Sequence, residues 1–253
     1  MSQLLRSEFR KVITTKLWWG MMLGAMALAI FGVVIQIATN GIKNNPAPAL
    51  NTAVTQRNIF SSSASAYIFS VVVGIILITT EFRHFTSRPT FLLEPRRGRV
   101  VAAKLVVSAG VGLVYGLACV AVSLAVAVPW LSAKGVTIDW NGNGVIVGLI
   151  GALLAIAIFA VVGVGVGVLL RSQVAAVIAT LAYLFVVEPL LTLPPVIKDA
   201  YPYLPAAAGS ALTGASRNGT TLLPNWQGGL VLLGWGLLFA FLGWMLTVRR
   251  DIP

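Results

Sequence analysis

The sequence is poor in charged residues and in the side chains that most enzymes use for catalysis. Only 10% of its 253 residues are Asp, Glu, Lys or Arg, and it holds one histidine, His84, and one cysteine, Cys119. These counts exclude HExxH, a multi-histidine metal site and a disulfide within the chain. No lysine follows a glycine, so the GxxxxGK[ST] phosphate loop is absent from the sequence. We therefore expect a chain that is not an enzyme and binds no cofactor.

Apolar residues are abundant instead. They make up 58% of the chain, and the mean hydropathy is +0.91, which is typical of an integral membrane protein. The net charge of +11 would also suit a nucleic-acid-binding protein, but the basic residues gather at the ends of apolar runs without interleaved aromatic residues. We therefore expect contact with anionic membrane lipids and not with nucleic acid.

Six apolar runs are long enough to cross a bilayer as helices. We predict an all-α membrane protein with one transmembrane domain over residues 1–253 and spans at about 17–38, 59–80, 105–128, 145–170, 174–193 and 229–248. With both termini inside, 13 of the 18 lysines and arginines lie on the cytoplasmic side and 5 outside. The positive-inside rule favours this orientation.

Residues 1–16 have the pattern of an amphipathic helix. Apolar residues recur at helical spacing at positions Leu5, Phe9, Val12 and Ile13, whereas Arg6, Ser7 and Arg10 take the other side. The segment is predicted to lie flat on the cytoplasmic face. The following run, from Leu17 to Ala38, is too long for a signal-peptide core, so we expect it to be an uncleaved first span.

Several spans carry small residues, which let helices approach closely in lipid. Residues 61–66 read SSSASA, which favours helix packing but also suits the lining of a polar path. The pairs Gly112/Gly116 and Gly163/Gly167 have GxxxG spacing, and we predict that they supply packing surfaces for a second copy.

Glu188 is the one acidic residue within an apolar run, and Pro189 follows it. At 1.5 Å per residue it lies roughly 20 Å beyond the inner end of its span, in the outer part of the bilayer. Intramembrane carboxylates mark functional sites, which suggests a role in substrate passage, but one near the exit can also reach headgroup water. A single acidic residue gives little support to an intramembrane peptidase or an ion-coupled transporter. The proline-broken residues 193–226 that follow are predicted to form a re-entrant or surface-lying external element.

Residues 81–104 form the most densely charged segment between two spans. Its acidic residues are only Glu81 and Glu94. Its six basic residues are Arg83, Arg88, Arg96, Arg97, Arg99 and Lys104. Within it, residues 87–95 predict a short helix that Ser87 or Thr86 caps and Pro95 ends. This helix carries Phe91, Leu92 and Leu93, which we expect to bury in the bilayer interface or in a partner protein.

The run Glu81-Phe82-Arg83-His84-Phe85-Thr86, followed by Leu92-Leu93 and Pro95-Arg96-Arg97, resembles the cytoplasmic loop of bacterial ABC type-2 exporter permeases. Phe85 departs from that pattern, in which a glycine is usual. The N-terminal Glu8-Phe9-Arg10-Lys11, leading to Thr14-Thr15-Lys16-Leu17-Trp18-Trp19, is also similar to the entry of that family into its first span.

The resemblance implies a transmembrane permease subunit in the bacterial cell membrane that moves an amphipathic or hydrophobic drug, lipid or peptide outward. It implies as partners an ABC ATPase dimer, which holds ATP and Mg²⁺, and a second permease copy or a homologous permease. The expected coupling residues are Glu81, Arg83, Arg88, Thr90, Phe91 and Leu92, and Glu188 is a candidate for the substrate path. The alternative is a membrane anchor or sensor, without transport, that recruits a cytosolic protein through the 81–104 loop.

Overall fold

A computed structural model describes residues 2–15, 17–40, 42, 48–83, 97–192, 199–214 and 222–249. The described part of the chain consists of helices joined by turns, with no strand. Its helices in chain order are α1 (Ser2–Thr14), α2 (Leu17–Thr39), α3 (Ala53–Ser61), α4 (Tyr67–Arg83), α5 (Arg97–Ala133), α6 (Val145–Leu170), α7 (Gln173–Ala182), α8 (Glu188–Leu190), α9 (Pro205–Thr213) and α10 (Asn225–Arg249). A 3₁₀ turn, Ser62–Ala66, joins α3 to α4, a π turn, Tyr183–Val187, joins α7 to α8, and a second 3₁₀ turn covers Tyr201–Tyr203.

Within the described residues, six helical stretches are long and apolar enough to cross a membrane, which confirms the predicted all-α, multi-pass architecture. They are Leu17–Thr39, Ala53–Thr80, Val101–Ala133, Val145–Leu170, Gln173–Leu190 and Asn225–Met245. The second begins six residues before the predicted start, because the Thr52 side chain accepts a hydrogen bond from the Thr55 N–H and caps α3. The third continues through Pro129 to Ala133, beyond its predicted end at about residue 128.

The connection between α6 and α7 is as short as predicted. Arg171 ends α6 in the left-handed region, with φ 54°, and its N–H donates to the Gly167 carbonyl at 2.9 Å. Ser172 then caps α7 by accepting a hydrogen bond from the Ala175 N–H at 3.4 Å. The fifth span therefore turns back directly beside the fourth.

Helix α6 is the centre of the structure and packs against α4, α5, α9 and α10. Its glycines make these contacts close. A side chain at Gly163 would overlap the Val71 carbonyl oxygen of α4, and one at Gly165 would approach the Gly236 carbonyl oxygen of α10 to 2.7 Å. Alternate glycines thus bring helices against two sides of α6, as expected where lipid removes the hydrophobic driving force for association.

The predicted use of the GxxxG pairs is wrong. Gly112 and Gly116 of α5 lie against Ala157 and Leu153 of α6, while Gly167 lies against Ile78 of α4. Together with the Gly163 contact, these faces are filled within one chain. They cannot supply the packing surface for a second copy.

Helix α1 packs on the bundle through Glu8 and Val12, which are one turn apart and buried, whereas Phe9 is 49% exposed. Val12, on the predicted apolar side, joins an apolar cluster with residues of α2 and α5, including Ala25 and Val107. The packed face of α1 therefore also contains an acidic residue.

A buried glutamine organises the end of the bundle that the charge bias places outside. Gln56 of α3 donates from Nε2 to the Thr137 carbonyl at 2.8 Å. Its Oε1 accepts from the Asp139 N–H at 3.2 Å and from Asn143 Nδ2 at 2.8 Å. These bonds fasten the α5–α6 connection to the second span.

The proline-broken stretch contains the short helix α9, and eight of its nine residues are buried. A side chain at Gly209 would meet the ring of Phe159, near the middle of α6, and one at Gly151 would meet the backbone of Leu212 and Thr213. Helix α9 therefore runs along the half of α6 that begins at Val145, shielded by protein. Such shielding is what a re-entrant element needs at membrane depth.

Gly163→Ala tests the packing of α4 on α6. The added Cβ overlaps the Val71 carbonyl oxygen, so the two helices must separate, and we expect a loss of about 1–3 kcal/mol in unfolding free energy. The measurement is thermal unfolding of the purified protein in detergent. Gly110→Ala is the matched control, because nothing lies within 4 Å of a Cβ at that position. Equal unfolding temperatures of the two variants would contradict the packing described above.

Candidate functional site

Most of the predicted coupling residues lie outside the described residues: Arg88, Thr90, Phe91 and Leu92. Glu81 and Arg83 belong to the last turn of α4, but their side chains are not described. The structure therefore shows the two helices from which the loop departs, the end of α4 and the beginning of α5.

A buried ion pair lies at this base. Lys104 of α5 donates from Nζ to Glu8 Oε2 of α1 at 2.6 Å, and the two side chains are 2% and 6% exposed. The same Nζ donates to the Leu77 carbonyl of α4 at 3.4 Å. Lys11 donates to the other carboxylate oxygen, Oε1, at 2.6 Å from a half-exposed position. Lys104 thus holds α1, α4 and α5 together beside the loop.

The charges at this joint stabilise each other. Burial alone raises the pKa of Glu8, but the charge of Lys104 and hydrogen bonds from Lys104 and Lys11 outweigh it, so the pKa lies below its ordinary value of 4.5. Glu8 is therefore ionised at neutral pH. The sequence analysis placed Lys104 in the charged loop and missed this pair, although Glu8 lies one helical turn before the apolar Val12.

Glu188 caps a helix from another part of the chain. Its carboxylate accepts the Ala206 N–H at 3.0 Å and the Ala207 N–H at 2.8 Å, both in the first turn of α9. Pro205, which begins α9, has no N–H to satisfy. The Tyr183 hydroxyl also hydrogen-bonds to the Glu188 side chain. A carboxylate at this end of a helix is favoured both by the bonds and by the helix dipole.

The π turn before Glu188 has a local cause. Pro189 lacks an N–H, and its ring would clash with the carbonyl four residues earlier in a regular helix. The chain widens instead, and the Glu188 N–H donates to the Tyr183 carbonyl five residues back. The wider turn places Tyr183 and Glu188 side by side against α9.

The burial of Glu188 bears on the interpretation that its carboxylate reaches headgroup water. The residue is 2% exposed, so it does not reach headgroup water. Its partner Ala207 lies two residues before Gly209, which meets Phe159 near the middle of α6.

Beside α9 is a cavity of about 560 Å³, which we name the serine cavity. Its walls come from α2, α3 with the following 3₁₀ turn, the start of α4, α6, the π turn and α9. Its lining includes Tyr67 and seven polar residues, and no charged residue lies among the lining residues that the structure describes. The seven are Gln36, Asn58, Ser61, Ser62, Ser65, Ser210 and Thr213. Gly32 of α2 approaches Ser62 closely as well, so the SSSASA stretch both packs and lines a polar space.

A second cavity, of about 240 Å³, lies on the other side of Phe159. Apart from Thr180 and Tyr183 its lining is apolar and comes mainly from α6, α7 and α10. Phe159 forms part of the wall of both cavities and stacks on Tyr67, with the ring centroids 4.2 Å apart. The polar and apolar spaces are therefore neighbours that one aromatic ring separates.

The sequence profile of the family described as ABC-2 family transporter protein matches residues 4–187, well over half of the chain. The chain belongs to this family. It is thus a membrane permease of an ABC-type transporter, a component that is generally non-catalytic and works with an ATPase subunit. The match includes the serine-lined span and the 81–104 loop and ends one residue before Glu188. No curated protein matches the chain.

Glu8→Gln tests the ion pair of this permease. The substitution removes the carboxylate that compensates the buried Lys104 charge, and we expect the unfolding free energy to fall by about 3–5 kcal/mol. Lys11→Gln is the control, because an exposed pair contributes about 0–1 kcal/mol. Thermal unfolding of both variants in detergent gives the comparison.

The stability difference between wild type and Glu8→Gln should depend on pH. Because the pKa of Glu8 is lowered in the folded state, its contribution to the unfolding free energy is complete above about pH 4.5 and is lost as pH falls through the folded-state pKa. The difference between wild type and Glu8→Gln should therefore be constant from neutral pH down to that value and narrow below it. A difference that grows on acidification would contradict the assigned charge state.

Glu188→Ala tests the helix cap. The change removes both acceptors of the α9 amides. Loss of a helix N-cap lowers helix stability by about 0.5–2 kcal/mol, so α9 should open more often. Hydrogen exchange of the peptide covering residues 205–213 measures the opening. Asp199→Ala, an exposed acidic residue six positions before α9, is the control. Equal exchange in the two variants would show that the cap does not hold α9.

Proposed function

We propose that the chain is the permease subunit of an ABC exporter in a bacterial cell membrane. It moves an amphipathic or hydrophobic molecule, such as a drug, lipid or peptide, outward. A separate ATPase dimer binds and hydrolyses ATP with Mg²⁺, and this chain binds no cofactor itself. The family match over residues 4–187 is the observation that carries the proposal, and the poverty of charge along the spans favours cargo of this kind.

The serine cavity supports a transport path. Amide and hydroxyl groups are costly in hydrocarbon, so a cavity lined by seven polar residues is expected to hold water or cargo and not lipid tails. Its rim includes Ile35 of α2 and Phe185 of the π turn, which are 45% and 57% exposed. The path therefore opens sideways, between the first and fifth spans.

A sideways opening at membrane depth needs a cover. We propose that a second permease copy, or a homologous permease, lies over it, so that two such cavities face one central path. The second copy would therefore contact this face and not the glycine pairs, which already pack against helices of the same chain. An active complex whose mass contains a single six-span subunit would contradict the pairing.

The ion pair at the base of the loop gives a route for coupling. Residues 81–104 connect the end of α4 to the beginning of α5, and Lys104 joins both of those helices to α1. A force on Phe91 and Leu92 from the ATPase would then move α1, α4 and α5 together. Glu81, Arg83, Arg88 and Thr90, which are near Phe91 and Leu92 in sequence, would orient this contact more than strengthen it.

An anchor or sensor that uses the same loop is the second candidate. It would recruit a cytosolic protein but would have no need for a polar cavity among the spans, which favours the permease. ATP hydrolysis that co-purifies with this chain and depends on it separates the two. A bound partner without such activity would support the anchor.

The double variant Phe91→Ala, Leu92→Ala tests the docking site. Burial of a Phe or Leu side chain contributes about 1.5–3 kcal/mol, so its loss should weaken ATPase association at least tenfold, which corresponds to about 1.4 kcal/mol. The protein should still reach the membrane at normal levels. The readouts are the ATPase retained on purified permease and transport in vesicles.

Phe9→Ala is the matched comparison, because Phe9 is an exposed aromatic residue on α1. It should retain the ATPase. If instead the loop variant binds and transports like wild type while Phe9→Ala fails, the ATPase docks on α1 and the loop serves only as a topology signal.

A further inference from the structure

The hydroxyl groups of the serine cavity already donate their protons to the backbone. Ser62 Oγ donates to the Ile59 carbonyl at 2.6 Å, and Ser65 Oγ donates to the Ser62 carbonyl at 2.7 Å. On the opposite wall, Ser210 Oγ donates to the Ala206 carbonyl at 2.9 Å. A hydroxyl oxygen has two lone pairs besides its proton, so these groups can still accept. Because the side-chain amides of Gln36 and Asn58 lie in the same lining, the cavity can both accept and donate hydrogen bonds.

Charged residues are absent from the described lining. It contains no lysine, arginine or histidine that would compensate a buried anion, and no aspartate or glutamate that would compensate a buried cation. Arg57 donates to the Asn143 carbonyl at 3.4 Å and lies near Gly214, just after α9. At the other end of α9, the Glu188 carboxylate accepts the Ala206 N–H. Both charges are therefore held outside the lining.

The rest of the lining is apolar. It includes Leu28, Ile35, Ile68, Phe159 and Phe185, which lie beside the serines in the same space. A ligand that fills the cavity therefore meets acceptor oxygens on some walls and hydrocarbon or aromatic surface on others. An amphiphile has this division between a polar end and an apolar body.

We propose that the serine cavity selects amphiphiles whose polar end is a neutral hydrogen-bonding group such as a hydroxyl, and rejects those that end in a charge of either sign. The hydroxyl is received by Ser62 and Ser65 on one wall and by Ser210 on the other. This selectivity rests on the proposed transport function for its cargo, but binding itself needs no ATPase. A failure of selective binding can therefore be distinguished from a failure of transport.

The test uses the full chain in phosphatidylcholine nanodiscs and four photoreactive probes. The probes share one diazirine-bearing alkyl chain and end in a hydroxyl, an ammonium, a carboxylate or a methyl group. We expect the hydroxyl probe to label peptides within residues 53–68 and 205–214 with an apparent Kd at least tenfold lower than those of the ammonium and carboxylate probes. Equal or tighter labelling by either charged probe would overturn the proposal, and this comparison requires only the wild-type protein.

A variant assigns the selectivity to the serines. Ser62→Ala, Ser65→Ala and Ser210→Ala together remove the three acceptors and keep each Cβ, so the Kd of the hydroxyl probe should rise at least tenfold while that of the methyl probe stays the same. Ser108→Ala with Ser123→Ala is the matched control, since both serines are buried in α5 outside the cavity lining. A triple variant that still prefers the hydroxyl over the methyl probe would overturn the assignment. If selectivity holds but no ATP-driven transport of these amphiphiles is found, the cavity is a lipid-binding site and the proposed export function fails.

Discussion

The absence of water inside a bilayer is the constraint on which this structure depends. A polar group within the spans must find a partner in the protein or face a cavity, because lipid offers none. Three arrangements meet this requirement, and among the described residues the buried Ser123 hydroxyl, which has no hydrogen-bond partner, is an exception. Lys104 pairs with Glu8, Glu188 caps α9, and the serine-rich turn lines a cavity with α2 and α9. Each arrangement joins elements that are far apart in sequence, so each also helps to define the fold.

Close packing around α6 makes these arrangements possible. Helices in lipid gain little from hiding apolar surface, so their association rests on backbone approach at small residues. Gly163 and Gly165 admit α4 and α10, while Gly151 and Gly209 bring α9 against α6. With α9 held there, its first amides lie within reach of Glu188, and Ser210 faces the serines of the second span across the cavity. Packing at the glycines thus sets the geometry of the polar site.

The spans could be predicted from the sequence because a bilayer imposes a length and a composition on each helix separately. Which helices and side chains pack against each other could not be predicted in this way. A GxxxG pair indicates close approach but not which helix approaches, so Gly112 and Gly163 were assigned to a second copy when they pack within the chain. Glu8 and Lys104 are 96 residues apart, and no local pattern links them. Glu188 was recognised as unusual, but the proline-broken stretch that holds α9 has no periodicity from which its position could be derived.

The central claim is that the serine cavity opens to water or cargo and is not filled by lipid tails. Cysteine accessibility tests it directly, because the only native cysteine, Cys119, is buried and can be replaced by alanine. A single cysteine at Ser65 should react with a charged, membrane-impermeant thiol reagent, since a thiolate forms only where water reaches it. A cysteine at Leu117, an exposed apolar position on α5, should not react. Equal reactivity at the two positions, or none at Ser65, would contradict the account.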